Sequence, residues 1–251
     1  DFVVFDQSSF GKIKVIGKEA KQAMDWLCSN DVTQQQNKVT YTCLLNKKGK
    51  VMADLTVAMI NANEYYITTG GNTVTHDLNW IHRNISQFDC QIENLSDDYG
   101  VLSIQGPNSG KFLNRVFDTS IFSKDNFPFS TFKEVILAGK TCLAFQLTFV
   151  GELGWELHIP IESCSAVFEY ISAENPTFSG YRAIDSMSAE KGFLHWHHDL
   201  RLEDNPFEAG LGFTCKLKTD INFIGRSAVE KSKKKVTKRL VKLLCELPLY
   251  G

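Results

Sequence analysis

Gly151-Glu-Leu-Gly-Trp-Glu-Leu-His-Ile-Pro160 is the stretch on which the reading of this chain turns. The residues before it, Leu143 to Val150, read as a strand, and Gly151 to Gly154 as the turn that ends it. The chain then alternates, with Trp155, Leu157 and Ile159 on one face and Glu156 and His158 on the other. Two consecutive strands joined by a short glycine turn predict an antiparallel sheet. The apolar stripe anchors the strand and leaves Glu156 at a fixed place on the opposite face. Taken alone, the segment reads Glu156 as facing solvent, as most glutamates do.

Outward from this stretch, the chain repeats itself. Ile13–Ile16 predicts a strand and Lys18–Ser29 a helix with Ala20, Ala23, Met24 and Leu27 inward. Strands are expected at Val39–Asn46, Lys50–Ile60 and Tyr65–Thr69, the first two joined by a Lys47-Lys48-Gly49 hairpin signal. A helix over Thr75–Phe88 presents Leu78, Ile81, Ile85 and Phe88 along one side. A second run follows: a strand at Gly100–Gln105, a helix opened by Pro107, strands at Val135–Leu137, Lys140–Val150 and through Glu156, and a helix capped by Ser163 with Val167, Phe168 and Ile171 inward. Tyr181–Lys191 reads as the last helix, stopped by Gly192. The pattern predicts an α+β fold of two similar lobes with antiparallel sheets. The expected boundaries are 1–95 and 96–178 for the lobes, 179–240 for a helix and segment returning to the first lobe, and 241–251 for the start of a further unit. Both chain ends read as cut from something longer.

Composition narrows the function. The chain has 251 residues, 43% apolar and 22% charged, with a formal charge of −2, which gives no general attraction to nucleic acid or anionic membrane. No apolar run approaches the length of a membrane span. Seven cysteines without a C-x-x-C pair read as reduced, buried thiols. The basic run Lys231–Arg239 reads as a solvated helix face or connector. Gly106-Pro-Asn-Ser-Gly-Lys111 is one residue short of a phosphate loop, and no G-x-G-x-x-G occurs. His195-Trp-His-His-Asp199 fits no zinc spacing and reads as a turn with aromatic packing, so no metal site is assigned.

A second carboxylate stands out. In Val51–Ile60 both strand faces are mostly apolar, and Asp54 is flanked by Met52, Ala58 and Ile60 on its own face. An aspartate there either accepts hydrogen bonds or carries a raised pKa, and both a functional role and simple backbone pairing fit.

Several segments together resemble one family: Phe5-Asp-Gln-Ser-Ser-Phe-Gly-Lys12, Ala53-Asp-Leu-Thr-Val57, Ser103-Ile-Gln-Gly-Pro107, Phe149-Val-Gly-Glu-Leu-Gly-Trp-Glu156, Gly180-Tyr-Arg-Ala-Ile-Asp-Ser186, Glu190-Lys-Gly192 and Glu208-Ala-Gly-Leu211. This series, which spans nearly the whole chain, resembles the tetrahydrofolate-binding, aminomethyltransferase-like region of the flavin-dependent sarcosine and dimethylglycine dehydrogenases. His195–Arg201 and Phe213–Lys218 are most similar to the sarcosine branch. The resemblance implies two α+β lobes around a folate channel, with a C-terminal β-barrel lobe largely beyond this chain. It implies an FAD domain ahead of it and a mitochondrial matrix location. It places Asp54 beside the reactive nitrogens of tetrahydrofolate and Glu156 on the pterin ring, with Phe149 where related enzymes often have a folate-contacting tyrosine. Ile184 stands where the glycine-cleavage enzyme has an arginine. The implied reaction moves the one-carbon unit of oxidised sarcosine to tetrahydrofolate, giving 5,10-methylenetetrahydrofolate. The competing expectation is a non-catalytic scaffold or regulatory subunit on the same fold. The iron–sulfur-assembly branch is set aside because Glu190–Trp196 has no cysteine.

Overall fold

The computed structural model describes residues 1–243. Two sheets form the centre. The first unit runs β2 (Gly11–Ile16), α1 (Ala20–Leu27), β3 (Val39–Leu45), β4 (Val51–Asn61), β5 (Glu64–Thr69), α2 (Val74–Ile85). The second runs β7 (Tyr99–Gln105), α3 (Ser109–Val116), β8 (Phe132–Leu137), β9 (Lys140–Phe145), β10 (Gly154–Pro160), α4 (Cys164–Ser172). Their strands lie in the same order, β3-β4-β5-β2 in one sheet and β8-β9-β10-β7 in the other, so the expected repeat is real and both core sheets are antiparallel.

The two units exchange their leading strands. β1 (Val3–Asp6) precedes the first unit but pairs with β7 of the second. β6 (Gln91–Asn94) precedes the second unit but pairs with β2 of the first. A boundary at residue 95 therefore separates the helices of the two lobes but not their sheets, since β1 sits in the sheet of the later residues. A short β11 (Thr177–Ser179) pairs with β1 in parallel, the exception to the antiparallel pattern.

The linkers 7–10 and 95–98 cross, and equivalent contacts hold each. Ser8 N donates to Asp6 Oδ1 and Ser96 N to Asn94 Oδ1. Ser8 Oγ in turn accepts from Val101 N, and Ser96 Oγ from Lys12 N. Lys12 joins both linkers: its carbonyl accepts from Leu95 N at 2.8 Å, and its fully buried ammonium donates to Ser8 O at 2.8 Å.

Helices cover the outer faces. Ala23, Met24 and Leu27 of α1 and Ile81 and Ile85 of α2 pack on Ile13, Val15, Leu55, Val57 and Ile67. On the other sheet, Phe112, Leu113, Val167 and Ile171 pack on Leu102, Ile104, Trp155, Leu157 and Ile159. Trp155 is fully buried beneath Phe122 and Phe127, so the alternation in the opening stretch does mark a core stripe.

Some local expectations change. The strand expected over Lys140–Val150 ends at Phe145, because pairing with β10 stops at Glu156↔Phe145 and the chain then turns away. Ser163 makes no side-chain cap; a 3-10 turn over Ile161–Ser163 leads into α4 instead. Phe168 is exposed and packs against Phe178 rather than inward. Tyr181–Lys191 forms α5 and stops at Gly192 as expected, but it is not the last helix: α6 spans Arg226–Lys233. Its lysine-rich sequence buries only Val229, too little apolar periodicity to announce a helix. Of the expected start of a further unit at 241–251, residues 244–251 lie outside the described residues.

The crossing relies on two glycines at matching places, just after β2 and β7. A Cβ on Gly17 would lie 2.4 Å from Asp89 O and 2.5 Å from the Cys90 Cα. One on Gly106, at φ +134°, would lie 2.6 Å from Asp1 O and 2.7 Å from the Phe2 Cα. Each glycine admits the strand arriving from the other unit. Gly17→Ala and Gly106→Ala are each expected to destabilise the fold by more than about 2 kcal/mol in chemical denaturation. Gly180→Ala, with nothing within 4 Å of the new methyl, should cost under about 1 kcal/mol.

Candidate functional site

The faces left over after helix packing turn toward each other. In the first sheet the inner face carries Asp54, Thr56 and Ala58 of β4, with Tyr66 directly opposite Ala58, Tyr41 opposite Thr56 and Cys43 opposite Asp54. In the second it carries Glu156 and His158 of β10, with Ser103 and Phe145 on either side of Glu156. The sheets meet where Tyr66 stacks on Phe145 at 5.9 Å and its hydroxyl bonds His158 Nδ1 at 2.9 Å. Val39, Ala58 and Phe132 complete this contact.

Asp54 lies four residues along β4 from Ala58, roughly 13 Å from that contact. Beyond it, the returning segment covers the face again, with Leu200, Ala209, Leu211, Phe223 and Val229 packed on Cys43, Leu45 and Val51. Asp54 thus sits in a strip between two covered zones and remains partly accessible. On the facing sheet, Glu156 has the inter-sheet contact on one side. On the other, Phe5, Val150, Ile184 and Phe149 pack together beneath α5. Glu156 is only 6% exposed, which overturns the solvent-facing reading of the segment: β10 is buried on both faces.

The two acids differ in their partners. Tyr41 Oη donates to Asp54 Oδ2 at 2.8 Å. Burial pushes the Asp54 carboxyl up to about 6, helped by the charge of Asp77 and opposed by the Tyr41 hydrogen bond. Burial also drives Tyr41 well above its ordinary value, so it stays a donor. Asp77, fully buried at the start of α2, is held by Thr69 and Thr73 hydroxyls and by His76. Glu156 accepts no hydrogen bond from a described residue; His158 Nε2 lies 3.8 Å from its Oε2.

Phe149, the third expected site residue, leaves the sheet with the turn after β9. Its ring meets His195 at 4.7 Å and Phe193 at 6.1 Å. His195 Nε2 bonds Ser188 Oγ at 2.8 Å, and the neighbouring His197 ring lies 6.4 Å from His76 of α2. The His195–Asp199 turn therefore touches both halves of the site. Ile184 is core, 1% exposed against Phe5 and Val150. Among the described residues no group of three or more His, Cys, Asp or Glu is arranged to hold a metal. Two open surface depressions, of about 310 and 320 Å³, are lined by Asp1, Phe2 and Arg115 and by Trp26, Phe223 and Arg226; neither touches Asp54 or Glu156.

Sequence reading missed Tyr41, Tyr66, Asp77 and the pairing of His158. For Tyr41, Tyr66 and His158 the signal is only a hydroxyl or imidazole at an inward strand position whose partner lies on another strand or sheet; Asp77 reads as an ordinary first-turn helix acid.

An aspartate with a folded pKa near 6 and an unfolded value of 3.8 withdraws stability as pH rises through that interval, because the unfolded chain ionises first. Below 3.8 both states are protonated and the effect vanishes; above about 6 it is complete. Asp54→Asn removes it. In denaturant titrations the variant should gain about 1–2 kcal/mol over wild type at pH 8 and little at pH 4.

Comparison with known proteins agrees with this architecture. Residues 1–219 match the GCVT N-terminal domain family. The chain is 44% identical over 99% of its length to mitochondrial sarcosine dehydrogenase of Mus musculus, and 32% identical over 96% to mitochondrial dimethylglycine dehydrogenase of Rattus norvegicus. It spans 29% of the first relative and 28% of the second. The crystal structure of glycine cleavage system aminomethyltransferase T from Bartonella henselae superposes with a TM-score of 0.83 at 20% identity, over 93% of this chain and 63% of that one. The chain belongs to the GCVT N-terminal domain family, has the aminomethyltransferase fold and is related to sarcosine dehydrogenase.

Proposed function

We propose that this chain is the tetrahydrofolate-binding, one-carbon-accepting part of a sarcosine dehydrogenase-like flavoenzyme. The observation that carries the reading is the pair of acids on facing sheets, one of them buried without a donor of its own. Glu156, 6% exposed and lacking an ordinary hydrogen bond among the described residues, is a carboxylate with two free acceptor oxygens. A carboxylate with little exposure and no donor of its own is open to a ligand that brings donors to it. The amino group and ring N–H of a pterin, in one plane, match that need as two parallel hydrogen bonds. Phe149, with Phe193 nearly parallel to it at 17°, supplies an aromatic surface on that side.

Asp54 serves the other end. Bound tetrahydrofolate would supply the amine nitrogens that take up the one-carbon unit. The Asp54 carboxyl, oriented by Tyr41 and poised near 6, is suited to hold or release a proton beside them at neutral pH. The roof made by the returning segment limits water, which protects a reactive one-carbon unit from hydrolysis. Amine oxidation belongs to an FAD domain outside these residues, and the product is 5,10-methylenetetrahydrofolate. A mitochondrial location follows the names of the two dehydrogenase relatives, and the matrix is the compartment this reading assigns. A scaffold without chemistry would have no use for an aspartate whose burial costs stability and whose orientation is fixed by Tyr41.

Calorimetry on the full-length protein with 5-formyltetrahydrofolate, a stable reduced folate, tests the reading. Wild type is expected to bind. Glu156→Gln, which replaces one acceptor oxygen by a donor, should weaken binding at least tenfold. Asp54→Asn should leave binding within about threefold while lowering folate-dependent product formation by a factor of at least about 100. A folded wild type with no affinity for reduced folate would overturn the proposal.

A further inference from the structure

We propose that His158 is a positioning residue for Glu156, and that Tyr66, reaching from the opposite sheet, sets the state of the His158 ring that allows it. This rests on the folate-site reading above and adds the device that holds its pterin-binding acid in place.

His158 is fully buried and follows Glu156 on the same face of β10. Its ring is packed by Phe145 at 4.4 Å and by Tyr66 at 5.5 Å, so it has one orientation. Nδ1 meets the Tyr66 hydroxyl at 2.9 Å. Nε2 points toward Glu156 Oε2 at 3.8 Å and has no hydrogen-bond partner among the described residues. Two arrangements satisfy the Tyr66 contact. If Nδ1 carried the proton, a bare Nε2 lone pair would face a carboxylate oxygen. If Tyr66 donates to Nδ1, the proton sits on Nε2 and faces that oxygen favourably. Burial holds His158 below its ordinary range and Tyr66 above its own, which keeps the ring neutral and the phenol a donor.

A gap of 3.8 Å is longer than a hydrogen bond, and in this proposal it closes when a ligand engages the carboxylate. When a flat donor engages the carboxylate, Nε2–H backs it from behind and restricts its rotamers. Because Tyr66 belongs to the Asp54 sheet and His158 to the Glu156 sheet, the same contact ties the orientation of one acid to the docking of the lobe that carries the other.

The test uses the full-length protein and 5-formyltetrahydrofolate. His158→Phe and Tyr66→Phe are each expected to weaken binding roughly tenfold. His158→Gln, whose amide nitrogen can reach the place of Nε2, should restore most of it. In a Glu156→Gln background, His158→Phe should change affinity less than twofold, since there is no longer a carboxylate to orient. Histidine 15N shifts should show the Nε2-protonated neutral tautomer in wild type and a mixture in Tyr66→Phe. Unchanged binding in His158→Phe, a full additional loss on top of Glu156→Gln, or an Nδ1-protonated ring would each overturn the proposal. If His158→Phe fails to fold, Tyr66→Phe and the tautomer measurement decide. Failure of wild type to bind, or of Glu156→Gln to weaken binding, would instead count against the folate site itself.

Discussion

Everything in this molecule hangs on the crossing of two short linkers. Each unit sends its leading strand into the sheet of the other, so neither sheet is complete without its neighbour. Lys12 stands at the crossing. A fully buried ammonium is expensive, and burial lowers its pKa. Here the Ser8 carbonyl and the longer-range charges of Asp97, Asp6 and Asp98 offset the cost. The result is a joint that cannot slide without stripping a buried charge of its acceptor. The reciprocal exchange therefore fixes which faces of the two sheets look at each other.

That choice of faces creates the candidate site. Helices take one face of each sheet, and among the described residues the inner faces meet around Tyr66, Phe145 and His158. Farther along β4 the returning segment closes over Cys43 and Val51. The acids occupy what lies between. Asp54 pays for this placement with a raised pKa, the state an acid needs if it is to exchange protons near neutrality. Glu156 differs: it is 6% exposed and takes no donor from its own chain at hydrogen-bond distance among the described residues.

The returning segment contributes more than cover. Through His195 it meets Phe149 on the Glu156 side, and through His197 it approaches His76 and so the Asp77 network behind Asp54. Ile184, by contrast, fills a core beside Phe5 and Val150.

The sequence alone was enough for the repeated strand–helix units, because hydrophobic periodicity is a local property and both units carry it strongly. It also marked Trp155, Leu157 and Ile159 as a core stripe and singled out Asp54 and Glu156, the latter through a motif rather than through its pattern of burial. It could not show that β1 and β6 trade sheets, since short strands of ordinary composition do not name their partners. Nor could it show that Glu156 and His158 lie inside rather than outside, because alternation says only that two faces differ, not what covers each. Tyr41 on Asp54 and Tyr66 on His158 belong to the same class of fact: a hydroxyl finds its partner across a ladder or between sheets, at sequence separations no period encodes. Local patterning determined the elements; the packing of one sheet against the other decided which of their polar side chains became a site.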